Sequence, residues 1–121
     1  MAASLPGVAS AQISGEPWQV TSVEGSTVAE PGKTKFVVEA DGTFAASIGC
    51  NAMRGKAEIQ GSSLTIGPMA STRMACPEPL GSLEAAFQRA LQQSASFRRD
   101  GETLTLLDAS GAEKMVLAKG K

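Results

Sequence analysis

At 121 residues and 12.4 kDa, with 42% hydrophobic and 19% charged residues, the chain has the size of one packed domain and is too apolar to be disordered. A formal net charge of -1 and a pI near 5.4 remove the electrostatic case for a nucleic-acid partner, and the lack of tyrosine beside a lone tryptophan removes the stacking platforms of a single-strand binder. Histidine is absent altogether, which closes the nucleophile mechanisms that use imidazole as base and the zinc centres that use it as ligand.

In chain order, Leu5 to Ala11 reads as the end of a secretory signal. Ala9-Ser10-Ala11 fits the small-x-small rule for cleavage before Gln12, without a basic n-region or a full apolar h-region. The alternative is a flexible tail of small residues. Both readings set residues 1–15 apart from a single domain at 16–118. No later apolar run approaches the ~18 residues of a membrane span, and no cysteine lies near the cleavage point to carry a lipid. The expectation is a soluble monomer, periplasmic or secreted.

Trp18-Gln19-Val20-Thr21 alternates apolar and polar and predicts a first strand ending at Glu24-Gly25, with Trp18 as a core anchor. A short strand around Thr27-Val28 precedes the Pro31-Gly32 turn. Lys33 to Val38 and Thr43 to Cys50 form a hairpin. A three-residue Ala40-Asp41-Gly42 loop with left-handed Gly42 pairs Val38 with Phe44, Phe36 with Ala46 and Thr34 with Ile48, gathering the large apolar residues on one face. Cys50 continues that buried face. Asn51 to Gly55 reads as a turn or crossover, and Lys56 to Ile59 with Leu64 to Ile66 as a second hairpin. From Ala70 the pattern Ala70, Thr72, Met74, Cys76 predicts a strand carrying Cys76 back toward Cys50.

Pro77-Glu78-Pro79 stops that strand and opens a helix from Leu80 or Ser82 to about Gln93. Its stripe is Leu83, Phe87, Ala90 and Leu91, with Glu84, Gln88 and Gln92 elsewhere on the helix. Three further strands, Ala95 to Arg98, Thr103 to Leu107 and Lys114 to Leu117, are separated by the turn signals Asp100-Gly101 and Ser110-Gly111. The fold class is mainly β with one helix.

Trp18, Asp41-Gly42 before a strand, Gly49-Cys50-Asn51, Gly55, Leu64-Thr65-Ile66, Thr72-Arg73-Met74-Ala75-Cys76, the helix with Leu83 and Phe87, and the ending Leu104 to Asp108 with Gly111 together resemble the META domain, or HslJ-like, family. The resemblance runs from about Trp18 to Leu117. It implies an antiparallel meander curled into a partial barrel with one helix packed against it, in a cell-envelope or secreted protein linked to stress tolerance and without an established enzymatic activity. The chain departs from the family in lacking the lipid-anchoring cysteine of many relatives, and in carrying Met53 where their first cysteine motif often continues with an aromatic.

The even cysteine count and the export signal favour a structural Cys50–Cys76 disulfide. A redox-active pair and a two-thiolate metal site are the alternatives, without C-x-x-C spacing for the first or further ligands for the second. Asn51 is a candidate to hydrogen-bond a ligand or else to satisfy turn backbone. Arg73, beside Thr72 and Met74, could hold a carboxylate or phosphate, or pair with a surface acid. Met53, Met69 and Met74 could line an adaptable face or fill the core. No catalytic set, metal site or cofactor is expected. The function expected is a non-enzymatic binding or stress-protection module whose partner is an envelope protein or a small apolar ligand, with a chaperone-like or structural role as the alternative and an enzyme a distant third.

Overall fold

The computed structural model describes residues 13–120. The expected cleavage site at Ala9 to Ala11 lies outside them. The packed unit reaches further back than position 16, because Ile13 is fully buried and the Gly15 N–H donates to Val38 O at 2.7 Å. Nine strands follow in order among the described residues: β1 (Trp18–Val23), β2 (Ser26–Thr27), β3 (Lys35–Val38), β4 (Thr43–Ser47), β5 (Ala52–Gln60), β6 (Ser63–Ser71), β7 (Ser94–Asp100), β8 (Thr103–Asp108) and β9 (Glu113–Lys119). Helix α1 (Leu80–Gln93) joins β6 to β7.

The mainly β, one-helix class is as the sequence indicates, and the curl goes all the way to closure. β1 pairs with β9 as well as with β3, so eight strands form a closed antiparallel barrel with β2 as an appendage. Closure pairs most strand edges, which removes much of the surface on which another chain could extend the sheet; β2 keeps one free edge, and β6 meets β7 in register at Ser63 and Ser96. Side chains alternate in and out, and the inward set forms one core from Trp18, Phe36, Phe44, Leu64, Leu104, Leu106 and Leu117.

The first hairpin takes the three-residue loop. Val38 faces Phe44 and Phe36 faces Ala46, with Gly42 at φ +91°. The third expected pair, Thr34 with Ile48, lies beyond the ladder, because a 3₁₀ turn at Pro31–Lys33 delays β3 until Lys35. Thr34 is nevertheless buried: its hydroxyl donates to Pro31 O at 2.6 Å and accepts the Val20 N–H at 2.7 Å.

Asn51 to Gly55 is not the expected turn. β5 begins at Ala52, immediately after the corner, and Met53 points into the core. Gly55 then sits mid-strand because a Cβ there would come within 2.8 Å of both the Phe44 ring and the Pro68 carbonyl oxygen. The strand expected through Thr72 to Cys76 also stops early, at Ser71, and Met74 is 59% exposed. Helix α1 starts where the prolines direct it and buries Phe87, Ala90 and Leu91. It packs against β1, β6, β8 and β9 across the mouth of the barrel where β1 and β4 end and β5 begins. A helix of this length is marginal in water, so that apolar stripe is what holds it.

Candidate functional site

At this mouth the chain passes from β4 through Gly49-Cys50-Asn51 into β5, directly beside the segment from Thr72 to Cys76. The two sulfurs are joined, with an S–S distance of 2.06 Å and Cα atoms 6.2 Å apart. The bridge ties the corner after β4 to the segment leading into α1. Cys50 is half-buried rather than a core residue.

Asn51 is the centre of this region and is only 4% exposed. Its Oδ1 accepts the Met74 N–H at 2.7 Å and the Thr72 hydroxyl at 2.8 Å. Its Nδ2 donates to Met74 O at 3.1 Å and to Glu84 Oε2 at 2.6 Å, while its backbone N–H donates to Glu84 Oε1 at 2.9 Å. One residue therefore pins both backbone groups of Met74 through its side-chain amide and both oxygens of Glu84 through that amide and its own backbone N–H. Thr72 extends the network, accepting the Ala52 N–H at 3.0 Å. Asn51 thus satisfies backbone groups, the structural side of the expectation.

Glu84, expected off the apolar stripe, is instead 8% exposed and turned inward. A signal did exist. Position 84 lies four residues after Leu80, three before Phe87 and seven before Leu91, squarely on the buried face. Such an acid is tolerable only because two N–H donors meet it. Its oxygens also lie 3.8 Å from Cys76 Sγ, and the ligand atoms of Cys50, Cys76 and Glu84 fall within 4.8 Å of one another. While the bridge stands neither sulfur is a thiolate, so this group does not present the donors of a metal centre.

The remaining candidates separate. Met53 fills the core and Met69 packs partly buried against it, while Met74 faces solvent, so the methionines do not share one face. Arg73 is exposed and makes no ion pair with any described residue.

Next to the network, where α1 crosses the barrel mouth, lies a groove of about 550 Å³. Val28, Ile48, Leu80, Leu83 and Ala86 supply its apolar wall. Lys33 and Glu30, paired at 2.9 Å, stand at its edge with Ser26 and Ser82. At the opposite mouth Glu16 bridges Arg99 at 2.7 Å and Lys119 at 3.1 Å, and Arg99 lies over the Trp18 ring at 5.0 Å. The Arg99 hydrogen bond, and then that from Lys119, hold the Glu16 carboxyl below its ordinary range.

The family model described as META domain matches residues 11–121. A protein solved by NMR superposes with a TM-score of 0.71 at 23% identity, covering 89% of this chain and 92% of the other. A Burkholderia xenovorans protein, also solved by NMR, gives 0.71 at 20% identity over 100% and 94% of the two chains. A crystal structure of a DUF4847-family protein from Bacteroides vulgatus gives 0.61 at 21% identity, over 78% of this chain and 64% of that one. None of the curated proteins compared with the chain matches it. At these identities the solved structures establish the fold.

Proposed function

The chain belongs to the META domain family, and from that premise we propose that it is a non-enzymatic binding domain, working outside the cytoplasm, whose groove takes a small apolar ligand. The observation that carries this reading is the groove itself. Its volume of about 550 Å³ falls within the range of small-molecule sites, and an apolar wall with a few polar groups at the rim is the usual design of such sites. The disulfide and the Asn51–Glu84 network brace its neighbourhood, which lowers the ordering cost of binding. A chain without histidine has no imidazole base for acid–base work here, which favours binding over turnover. The disulfide favours an oxidising compartment. Holding apolar molecules away from water would be the route by which such a domain serves stress protection.

The test is fluorescence titration with the neutral apolar probe N-phenyl-1-naphthylamine. Saturable binding at micromolar probe is expected for the native chain, with loss of at least ten-fold in affinity for Leu83→Arg, which puts a charge into the groove wall. Absence of saturable binding, or equal affinity in the variant, would refute the assignment.

A further inference from the structure

We propose that the outer face of strands β3 to β6, opposite in character to the apolar groove, docks on an anionic lipid bilayer. The argument starts from how the cations are distributed. Of the 11 lysines and arginines, all but Lys121 are among the described residues. Lys33, Arg89, Arg98, Arg99, Lys114 and Lys119 make ion pairs. Lys35, Arg54, Lys56 and Arg73 make none with a described residue, and all four are exposed. Residues 1–12 contain no acidic side chain that could pair with them.

The sheet register puts Lys35, Arg54 and Lys56 on one face, and Arg73 follows two residues past the end of β6 at its edge. Lys35 lies opposite Ser47, which lies opposite Ala52, and the Thr72 N–H continues the row by donating to Ala52 O at 3.0 Å, with Arg73 following. The next row is Val37, Ala45, Arg54 and Ala70, and a third holds Glu39, whose N–H donates to Thr43 O at 2.7 Å, with Thr43 and Lys56. Rows on one face are about 7 Å apart and strands about 5 Å apart, so the charges span roughly the area of a few lipid headgroups. Between them stand alanines, Ser47 and Thr43, which leave the cationic side chains as the projections of the surface. Glu39 shares the third row with Lys56 and Asp41 shares the field of Lys56, with Glu58 one row further, so the cationic excess of the face lies at Lys35, Arg54 and Arg73, nearer the Cys50–Cys76 mouth.

A second observation lies at the edge of the same face. Met74, 59% exposed, is the exposed large hydrophobic side chain among the described residues and adjoins Arg73. Asn51 clamps its backbone from below, so the Arg73–Met74 tip is held outward rather than free to fold down. β4 and β5 are paired along both sides, so at the middle of this face a partner meets side chains and no backbone edge. A folded acidic protein would need a central apolar anchor and a pocket to receive it, and this face has neither. Basic side chains with one apolar tip suit a layer of phosphates over acyl chains.

The experiment is sedimentation with sucrose-loaded vesicles of phosphatidylcholine alone or rich in phosphatidylglycerol. Binding to the anionic vesicles only, weakening steeply with salt, is expected. Each cation is worth about five-fold in partitioning, so Lys35→Gln/Arg54→Gln/Lys56→Gln/Arg73→Gln loses at least about a hundred-fold. A matched control, Lys33→Gln/Arg89→Gln/Arg98→Gln/Lys119→Gln, removes the same charge from paired sites and loses less than about ten-fold. Circular dichroism melts confirm that both variants fold. Met74→Ser costs a further few-fold. Equal losses in the two quadruple variants, or no sedimentation of the native chain, would overturn the proposal. So would binding to poly-L-glutamate without binding to vesicles, an outcome that assigns the face to an acidic protein.

Discussion

Replacing Asn51 with alanine removes five side-chain hydrogen bonds at once: those to Glu84 at 2.6 Å, to Met74 O at 3.1 Å, from Thr72 at 2.8 Å and from the Met74 N–H at 2.7 Å, and a weak one to Cys76 Sγ at 3.4 Å. The bond to the carboxylate is charge-assisted and contributes roughly 1.5–3 kcal/mol, while the neutral ones contribute about 1 kcal/mol each where they are sheltered. Thr72 and Met74 are exposed enough for water to replace part of their share. The net expectation is a loss of about 4 kcal/mol, which for a chain of 121 residues lowers the melting temperature by about 15 °C. Urea and thermal unfolding followed through Trp18, fully buried in the native state, would measure it. Glu84→Leu alone leaves the Asn51 backbone N–H without its acceptor and its Nδ2 without the shortest of its bonds, whereas the double variant removes the acid and its principal side-chain partner together. The double variant should therefore fall short of the sum of the singles by about 2 kcal/mol. A single variant melting within about 3 °C of the native chain, or strict additivity, would refute the view that this network holds the loop.

Other consequences are as direct. Cys50→Ser/Cys76→Ser opens a link between residues 26 apart, and loop-closure entropy predicts about 3.5 kcal/mol lost in a urea titration. Gly55→Ala places a methyl within 2.8 Å of a backbone oxygen that cannot move aside, so it should cost at least about 2 kcal/mol despite the better intrinsic propensity of alanine, read as a shift in urea midpoint at unchanged slope. Glu16 and Glu24 are held below their ordinary 4.5, chiefly by hydrogen bonds from Arg99 and Arg89, and Asp108 below its 3.8, chiefly by Ser110. A depressed folded pKa adds stability that is complete above the unfolded value and is lost as pH falls through the folded one. Stability should accordingly decline on acidification below about pH 4.5. Glu16→Gln should be less stable than the native chain at neutral pH and converge with it in strong acid, as measured by melting temperature against pH.

Much of the fold is readable locally. The β3–β4 register follows from side-chain alternation plus one residue, Gly42, able to sit at φ +91°, and both facts lie within a dozen positions. The same holds for the Ile59–Leu64 hairpin and for the β7 to β9 turns. The stretch around Asn51 was misread because its logic is not local. Turn-forming residue types surround it, yet Met53 pairs with Ala46 on one side and Ser71 on the other, and that ladder outweighs the local preference. Glu84 was misread because charge normally marks a solvent position, and the donors that make its burial tolerable come from a residue 33 positions earlier.

The amino-acid order by itself determines the strand-and-turn alphabet, the single apolar helix stripe, the pairing partners available to two cysteines and the exclusion of imidazole chemistry, since each depends on residue type and short-range periodicity. Closure of the barrel through β1 and β9, the inward turn of Glu84 onto Asn51, and the sorting of paired cations from unpaired ones were decided only in three dimensions. These depend on distances between segments up to a hundred residues apart, and such distances exist only after the core has packed.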